Sequence, residues 1–177
     1  MKKSIIKNLF LPIFLIIIIW CIKLIEYTFD LSFVDYGVYP RSVKGIFGIL
    51  FSFFIHKDII HLINNTVPLL ILTALLFSFY KKLSIKLLIN FILISGLLTW
   101  SIGRDSYHIG ASGAIYAIAS FLVISGIIRK NPKLSAVSFI VIFLYGSLVW
   151  GVLPIKEHVS WEGHLSGLVT GILIAYF

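Results

Sequence analysis

Long stretches without a charged residue constrain this chain more than any other feature of its sequence. Cutting the 177 residues at their charged side chains leaves six such stretches. They are 8–22, 59–80, 87–103, 106–128, 134–155 and 163–177. A helix that crosses a bilayer needs about 20 apolar residues, within a range of roughly 17–25. We therefore predict six transmembrane helices, the first and last being short unless flanking charged side chains reach an interface.

The composition excludes a water-soluble globular protein. Hydrophobic residues make up 59% of the chain and charged residues 12%, against roughly 45–50% and 25% in ordinary soluble domains. The formal charge is +8, but the basic residues do not cluster on one polar face, so nucleic acid is not an expected partner. Cys21 is the single cysteine. An intrachain disulfide and a CxxC metal site are therefore excluded.

The distribution of charge predicts how the helices are oriented, because Lys and Arg in short loops stay on the cytoplasmic side. Nine of the fifteen basic residues lie in the N-terminal segment and in the turns 81–86 and 129–133. The other basic residues and all seven acidic residues lie in the alternate connections. We predict that both termini are cytoplasmic. The N-terminal run lacks a small-x-small cleavage site, so we expect an uncleaved first helix rather than a signal peptide.

A further apolar segment does not fit the pattern of spans. Residues 45–56 are uncharged, yet the segment is too short to cross a bilayer and too apolar for a free loop. We expect this first loop to lie in the outer interface or to dip into the protein. Pro40, Gly45 and Gly48 argue against one long regular helix there. The chain is thus expected to form a single domain over 1–177, without a soluble domain at either end.

Polar residues interrupt the apolar stretches at three places, all at predicted outer helix ends. An ionisable side chain in a span is costly unless it faces water or a partner, so each place is a candidate functional site. In the second span, His61 and Asn65 are four residues apart and share one helical face. They either donate hydrogen bonds to one point or tie neighbouring helices together. For His56, beside Lys57 and Asp58, we expect a solvated position at the helix end.

The fourth span opens with a serine close to two glycines. Gly110 and Gly113 leave space around Ser112, so that backbone and substrate can approach closely. Ser112 lies near a helix N-terminus, where unpaired N–H groups favour an anion such as an oxyanion. The alternative is a seam of small residues that packs against another helix. The sixth span offers a partner surface for such a seam at Gly163, Gly167 and Gly171.

His164 is the hardest of these residues to explain by packing, because it lies in an apolar helix between glycines. A neutral imidazole can act as general base to a serine, and close packing of the fourth and sixth spans would bring Ser112 within reach. Tyr116, one turn after Ser112, is placed to pack against the ring. Glu162 lies two residues before His164 and so on another face. The pattern therefore predicts a Ser–His dyad rather than a triad.

Taken together, the three motifs resemble those of rhomboid intramembrane serine proteases. The second span carries H-x-x-x-x-H-x-x-x-N at His56, His61 and Asn65. The fourth carries G-x-S-G-x-x-x-Y at Gly110, Ser112, Gly113 and Tyr116, and the sixth carries a small residue followed by H-x-x-G-x-x-x-G at 163–171. The chain departs from many bacterial members in having Tyr39-Pro40-Arg41 where a Trp-Arg pair is common.

The resemblance implies a role for each of these residues. Ser112 would attack the scissile carbonyl, His164 would carry its proton to the leaving amine, and Tyr116 would stack on the imidazole. The Ser112 N–H, with His61 and Asn65, would hold the oxyanion. The resemblance also implies an all-α, six-helix membrane bundle with a membrane-lodged first loop and a movable fifth helix or capping loop that admits substrate. It would act in the bacterial cytoplasmic membrane on single-span membrane proteins, cutting near the outer face without metal or other cofactor.

Two other functions remain open at this point. A catalytically inactive rhomboid-like protein would bind membrane clients, although that class typically lacks the Ser or the His, and both are present here. A metal or proton transporter would use His56, His61 and His164 as ligands. Few acidic residues lie in the spans, however, and no duplicated half with broken helices is evident. The sequence does not predict an oligomeric state or an individual substrate.

Overall fold

The structure is a computed structural model that describes residues 2–155 and 159–177, with side chains from residue 8 onward. Some of the charged residues used to predict the membrane topology are not among those that the structure describes. Lys156 and Glu157, in the last connection predicted to be exterior, lie outside the described residues, as do the side chains of Lys2, Lys3 and Lys7.

Seven α-helices make up most of the described part of the chain. They are α1 (Lys2–Thr28), α2 (Val43–Phe51), α3 (Ile59–Phe79), α4 (Ser84–Ile102), α5 (Ser112–Ile128), α6 (Pro132–Tyr145) and α7 (Trp161–Tyr176). Short 3₁₀ segments cover Val34–Tyr36, Ser52–Phe54 and Gly146–Val152. An isolated antiparallel bridge joins Val38 to His108, and no longer strand forms among the described residues. The prediction of an all-α protein is thereby confirmed.

Four helical segments within the described residues are long and apolar enough to cross a membrane. They are Asn8–Thr28, Ile59–Phe79, Ser84–Ile102 and Pro132–Val152. These segments correspond to the first, second, third and fifth predicted spans. The apolar α5 has 17 residues and α7 has 16, which is short for a full crossing. Six crossings therefore remain a proposal.

The first helix extends past its uncharged stretch, as the sequence allows when a flanking charged side chain is accommodated. The stretch 8–22 ends at Lys23, but α1 continues to Thr28. Lys23 does not end the helix, because its ammonium pairs with Glu26 at 3.1 Å and donates to the carbonyl oxygen of His56 at 2.9 Å. The two charges thus stabilise the contact between the end of α1 and the segment before α3.

The fourth predicted span becomes helical at Ser112, as expected from the place of this serine near a helix N-terminus, and the residues of the uncharged stretch before it lie outside the helix. Residues 103–111 form the α4–α5 loop, in which Gly110 has a φ of +107°, in a region that L side chains rarely adopt. His108 in the same loop forms the bridge to Val38. The loop ends where Ser112 begins α5.

The fifth predicted span, 134–155, is not one regular helix. Asn131 caps α6 by accepting hydrogen bonds from the N–H groups of Lys133 and Leu134. The helix ends at Tyr145, and Gly146–Val152 continues as a 3₁₀ segment. Carbonyl groups of this segment bind side chains of α5 and α7, as described below.

The first loop contains a short helix, α2. Ser42 caps it by accepting a hydrogen bond from the Gly45 N–H at 2.9 Å. Methyl groups at Gly45 and Gly48 would overlap the backbone of Tyr39 and Gly37, so these glycines permit close contact with the preceding chain. The opposite face of α2 is apolar and exposed, with Val43, Phe47 and Leu50 outermost. This loop is therefore a packed element with an apolar exposed face rather than a free connection.

Candidate active site

The site begins with the contact between α5 and α7. A methyl group at Gly167 would overlap the carbonyl oxygen of Gly113, and one at Gly171 would overlap that of Ala117. The two backbones therefore touch along a seam of small residues, as considered from the sequence. Because Ser112 begins α5 and His164 lies in the first turn of α7, the seam brings the two segments that carry them together.

Ser112 lines a small cavity at the start of α5. The cavity has a volume of about 40 Å³ and is also bordered by Gly110, Gly113 and Gly163. Since one water molecule needs roughly 10–15 Å³ of such space, a few water molecules fit beside the serine. Hydroxyl groups of Ser95 and Thr99 on α4 are part of its wall.

The imidazole of His164 is held between a ring and a carbonyl group. The Tyr116 ring stacks on it with a centroid distance of 4.3 Å and an interplanar angle of 9°. His164 Nδ1 lies 2.8 Å from the Gly151 carbonyl oxygen, which can only accept a hydrogen bond. Nδ1 must therefore carry the proton, and Nε2 of the neutral ring is left as an acceptor.

The 3₁₀ segment Gly146–Val152 thus orients both rings. The Tyr116 hydroxyl donates to the carbonyl oxygen of Leu148 at 2.8 Å, beside the bond from His164 to Gly151. No side-chain pattern predicts a backbone carbonyl as the group that orients a histidine. A methyl group at Gly151 would overlap the Tyr116 hydroxyl, so only a glycine fits this close contact.

The structure does not show a direct contact between every pair of residues that the sequence analysis placed together. Among the described residues, the hydroxyl of Ser112 and the ring of His164 form no hydrogen bond to each other. Glu162 lies on another face of α7, where it pairs with Arg104 and not with His164. Catalytic hydrogen bonds are often long in a free enzyme and shorten only when substrate binds.

His61 and Asn65 lie against the loop that precedes Ser112. A Cβ atom built on Gly110 would lie 2.7 Å from His61 Cε1 and 3.9 Å from Asn65 Nδ2. Asn65 is buried and donates from Nδ2 to the His61 carbonyl oxygen at 2.9 Å, whereas Asn64 is exposed. The i, i+4 pair therefore faces the Gly110–Ser112 segment, two residues from the serine.

The expectation of a solvated His56 is wrong. Its side chain is only 1% exposed, because α1 and the α4–α5 loop cover it. The Ala111 N–H points at His56 Nε2 from 3.5 Å, and the His61 ring lies edge-on at 5.0 Å. Burial, with a smaller contribution from His61, lowers the pKa of His56 to about 3. The ring is therefore neutral and supports the segment before Ser112.

No group of three or more His, Cys, Asp or Glu side chains is placed to hold a metal ion in the part of the chain that the structure describes. The three histidines that a transporter would use as ligands do not converge on one point, because each set makes different contacts. His56 and His61 lie together against Ala111 and Gly110, while His164 binds the Gly151 carbonyl.

Comparison with known proteins identifies the family. A family model described as the Rhomboid domain matches residues 44–177. The chain belongs to the rhomboid family, which confirms the resemblance seen in the motifs.

Relatives of similar sequence occur in mycobacteria. Proteins of Mycobacterium bovis and Mycobacterium tuberculosis, both named only as uncharacterized, are each 33% identical over 149 residues, which is 79% of this chain and 62% of theirs. An uncharacterized protein of Mycobacterium leprae is 30% identical over 169 residues, 90% of this chain and 66% of its own length. The chain thus spans somewhat less than two thirds of the length of these relatives.

Proposed function

We propose that this protein is an intramembrane serine endopeptidase with Ser112 as nucleophile and His164 as general base. The observation that carries the proposal is the orientation of His164. Tyr116 stacks on its ring and the Gly151 carbonyl accepts a hydrogen bond from its Nδ1, so Nε2 is left free to accept a proton. The helix that carries His164, α7, also packs against the start of α5, where Ser112 lies. Membership of the rhomboid family supports the same activity.

The proposed reaction has two halves. The Ser112 oxygen attacks the carbonyl carbon of the scissile peptide bond while its proton moves to His164 Nε2. The C–N bond then breaks, and His164 returns the proton to the leaving amine. In the second half, a water molecule from the cavity beside Ser112 attacks the acyl-enzyme, passes its proton through His164 to the serine oxygen, and releases the carboxylate product.

Donors for the oxyanion are proposed at the start of α5 and on α3. The Ser112 N–H lies in the first turn of α5, where N–H groups have no partner within the helix. His61 and Asn65 reach the same segment from α3. Loss of one such donor typically costs about 3 kcal/mol of transition-state stabilisation. Gly110 is required here because any side chain would occupy the space next to His61.

The membrane setting completes the proposal. We propose six crossings with cytoplasmic termini, so that Ser112 and His164 open toward the exterior of a bacterial cytoplasmic membrane. Substrates are proposed to be single-span membrane proteins that enter past α6, whose Phe139 and Phe143 are strongly exposed. Reporter fusions in the turns 81–86 and 129–133 test the orientation, which is contradicted if those turns report an exterior location.

A serine-reactive fluorophosphonate tests the activity on the protein in membranes. We expect labelling of the wild type, loss of labelling in Ser112→Ala and His164→Ala, and retention in Ser101→Ala, a control for an exposed serine on α4. Cleavage of co-expressed single-span proteins should follow the same order. Absence of labelling and cleavage in the wild type would instead favour an inactive client-binding protein, and ion flux that survives Ser112→Ala would favour transport.

A further inference from the structure

The loop that leads to Ser112 is bound to the first turn of α7 by an ion pair. Arg104 lies just after α4, and its Nε is 3.6 Å from Oε1 of Glu162. The Arg104 backbone N–H also donates to this oxygen at 3.4 Å, and Nη2 donates to the Val159 carbonyl oxygen at 2.8 Å. One arginine thus contacts the α7 N-terminus at two points.

A second connection runs through His108. Its Nε2 lies 3.1 Å from the Arg104 carbonyl oxygen, which can only accept, so Nε2 carries the proton. Nδ1 then accepts from the Ser160 hydroxyl at 2.6 Å, and the same Ser160 oxygen accepts from the Gly163 N–H at 3.3 Å. This chain of bonds is consistent in every donor and acceptor. Burial lowers the pKa of His108, which favours the neutral ring that the chain of bonds requires.

The proposed reaction uses none of these four side chains. Glu162 is only 2% exposed and does not contact the His164 ring, and its Oε2 has no hydrogen-bond partner among the described residues. Burying a carboxylate is costly, and an ion pair rarely adds net stability compared with apolar packing. Stability alone is therefore a poor explanation for a charge at this position, two residues before His164.

We propose that Arg104, His108, Ser160 and Glu162 form a clamp that positions His164 relative to Ser112. The inference rests on the proposed protease function. Ser112 and His164 belong to different helices, and the glycine seam fixes only the distance between those helices. The clamp adds contacts at the N-terminal end of α7 and so fixes the rotation and height of the turn that carries His164. These four are positioning residues, since the proposed reaction gives none of them a bond to break or a proton to transfer, although His108 and Ser160 also border the cavity beside Ser112.

The test measures how fast Ser112 reacts in folded protein. For Glu162→Ala we expect kinact with a fluorophosphonate to fall on the order of 10- to 100-fold, because small displacements of catalytic groups have effects of this size. KI should not change. Glu162→Gln should retain part of the rate, since its amide oxygen still accepts from Arg104. Ser160→Ala, which breaks the second connection, should lower kinact in the same way if Glu162→Ala does not fold.

Asp105→Asn is the matched control. Asp105 follows Arg104 in the same loop and pairs with Arg41, but its side chain is 74% exposed. Exposed ion pairs contribute little, and this one does not touch α7. We expect its kinact to equal that of the wild type. A comparable fall in Asp105→Asn would show that the loop tolerates no change of charge, which overturns the specific clamp.

Hydrogen exchange of residues 160–166 separates the two proposals. We expect faster exchange in Glu162→Ala than in the wild type and in Asp105→Asn, because the first turn of α7 loses its contacts. Unchanged exchange overturns the clamp, and faster exchange with a wild-type kinact reduces it to a structural contact. If wild-type protein does not react with the probe, the protease proposal fails by itself. In that case there is no catalytic dyad to position, so the proposal that the clamp positions His164 for catalysis is overturned as well.

Discussion

Replacing Gly110 by alanine tests how closely the loop before Ser112 fits the proposed oxyanion site. The substitution has two separate costs. A φ of +107° is strained for alanine, at about 1–2 kcal/mol by analogy with other left-handed conformations. The new methyl group would also lie 2.7 Å from His61 Cε1 and 2.8 Å from Nε2. Restoring ordinary contact of roughly 3.4–4 Å requires the His61 ring to move, and overpacking of this kind costs about 1–3 kcal/mol.

The two costs can be separated by a double-mutant cycle. In a His61→Ala background the methyl group meets no ring, so the steric part of the destabilisation should disappear while the backbone part remains. Thermal unfolding in detergent gives the four stabilities. Gly146→Ala is the matched control, because its nearest neighbour, Ile142 Cγ2, is 3.9 Å away and its φ of −58° suits alanine. We expect this control to unfold at the wild-type temperature.

The same variants report on catalysis. Because His61 is displaced from the oxyanion, Gly110→Ala should lower the rate of substrate cleavage per folded molecule by at least one order of magnitude, about the effect of weakening one donor. Gly146→Ala should cleave at the wild-type rate. Wild-type cleavage and stability in Gly110→Ala would refute the reasoning, since neither the backbone strain nor the contact with His61 would then be real.

Four further results are expected. Asn65→Ala should leave the unfolding temperature nearly unchanged and slow cleavage roughly a hundredfold; a wild-type kcat would contradict its role as a donor. Gly151→Ala places a methyl group against the Tyr116 hydroxyl and should reduce fluorophosphonate labelling more than it reduces protein yield. Gly167→Ala separates α5 from α7 at the Gly113 carbonyl and should lower both stability and labelling. Burial holds the pKa of His56 at about 3 instead of 6.5, so the unfolded state binds a proton that the folded state does not. The unfolding temperature should therefore fall as the pH is lowered from 6.5 toward 3, and less steeply in His56→Gln.

Periodicity and charge were sufficient to find most helices, because apolar length is a local property of the chain. Their ends were less predictable. α1 passes beyond Lys23, whose ammonium is bound by distant carbonyl groups, and α6 ends at Tyr145, where a 3₁₀ segment takes over. The burial of His56 was missed for the same reason, since the groups that cover it come from distant parts of the chain.

The sequence alone determined the membrane class, the all-α fold, the family and the set of polar residues that form the candidate site. Each of these depends on residue type and spacing, which are properties of the sequence itself. Only the tertiary structure decided how the imidazole of His164 is oriented and what holds α7 to the loop before Ser112. These depend on the Gly151 carbonyl and on the Arg104–Glu162 pair. Backbone carbonyls look alike at every position, and a long-range ion pair has no fixed spacing, so only folding reveals them.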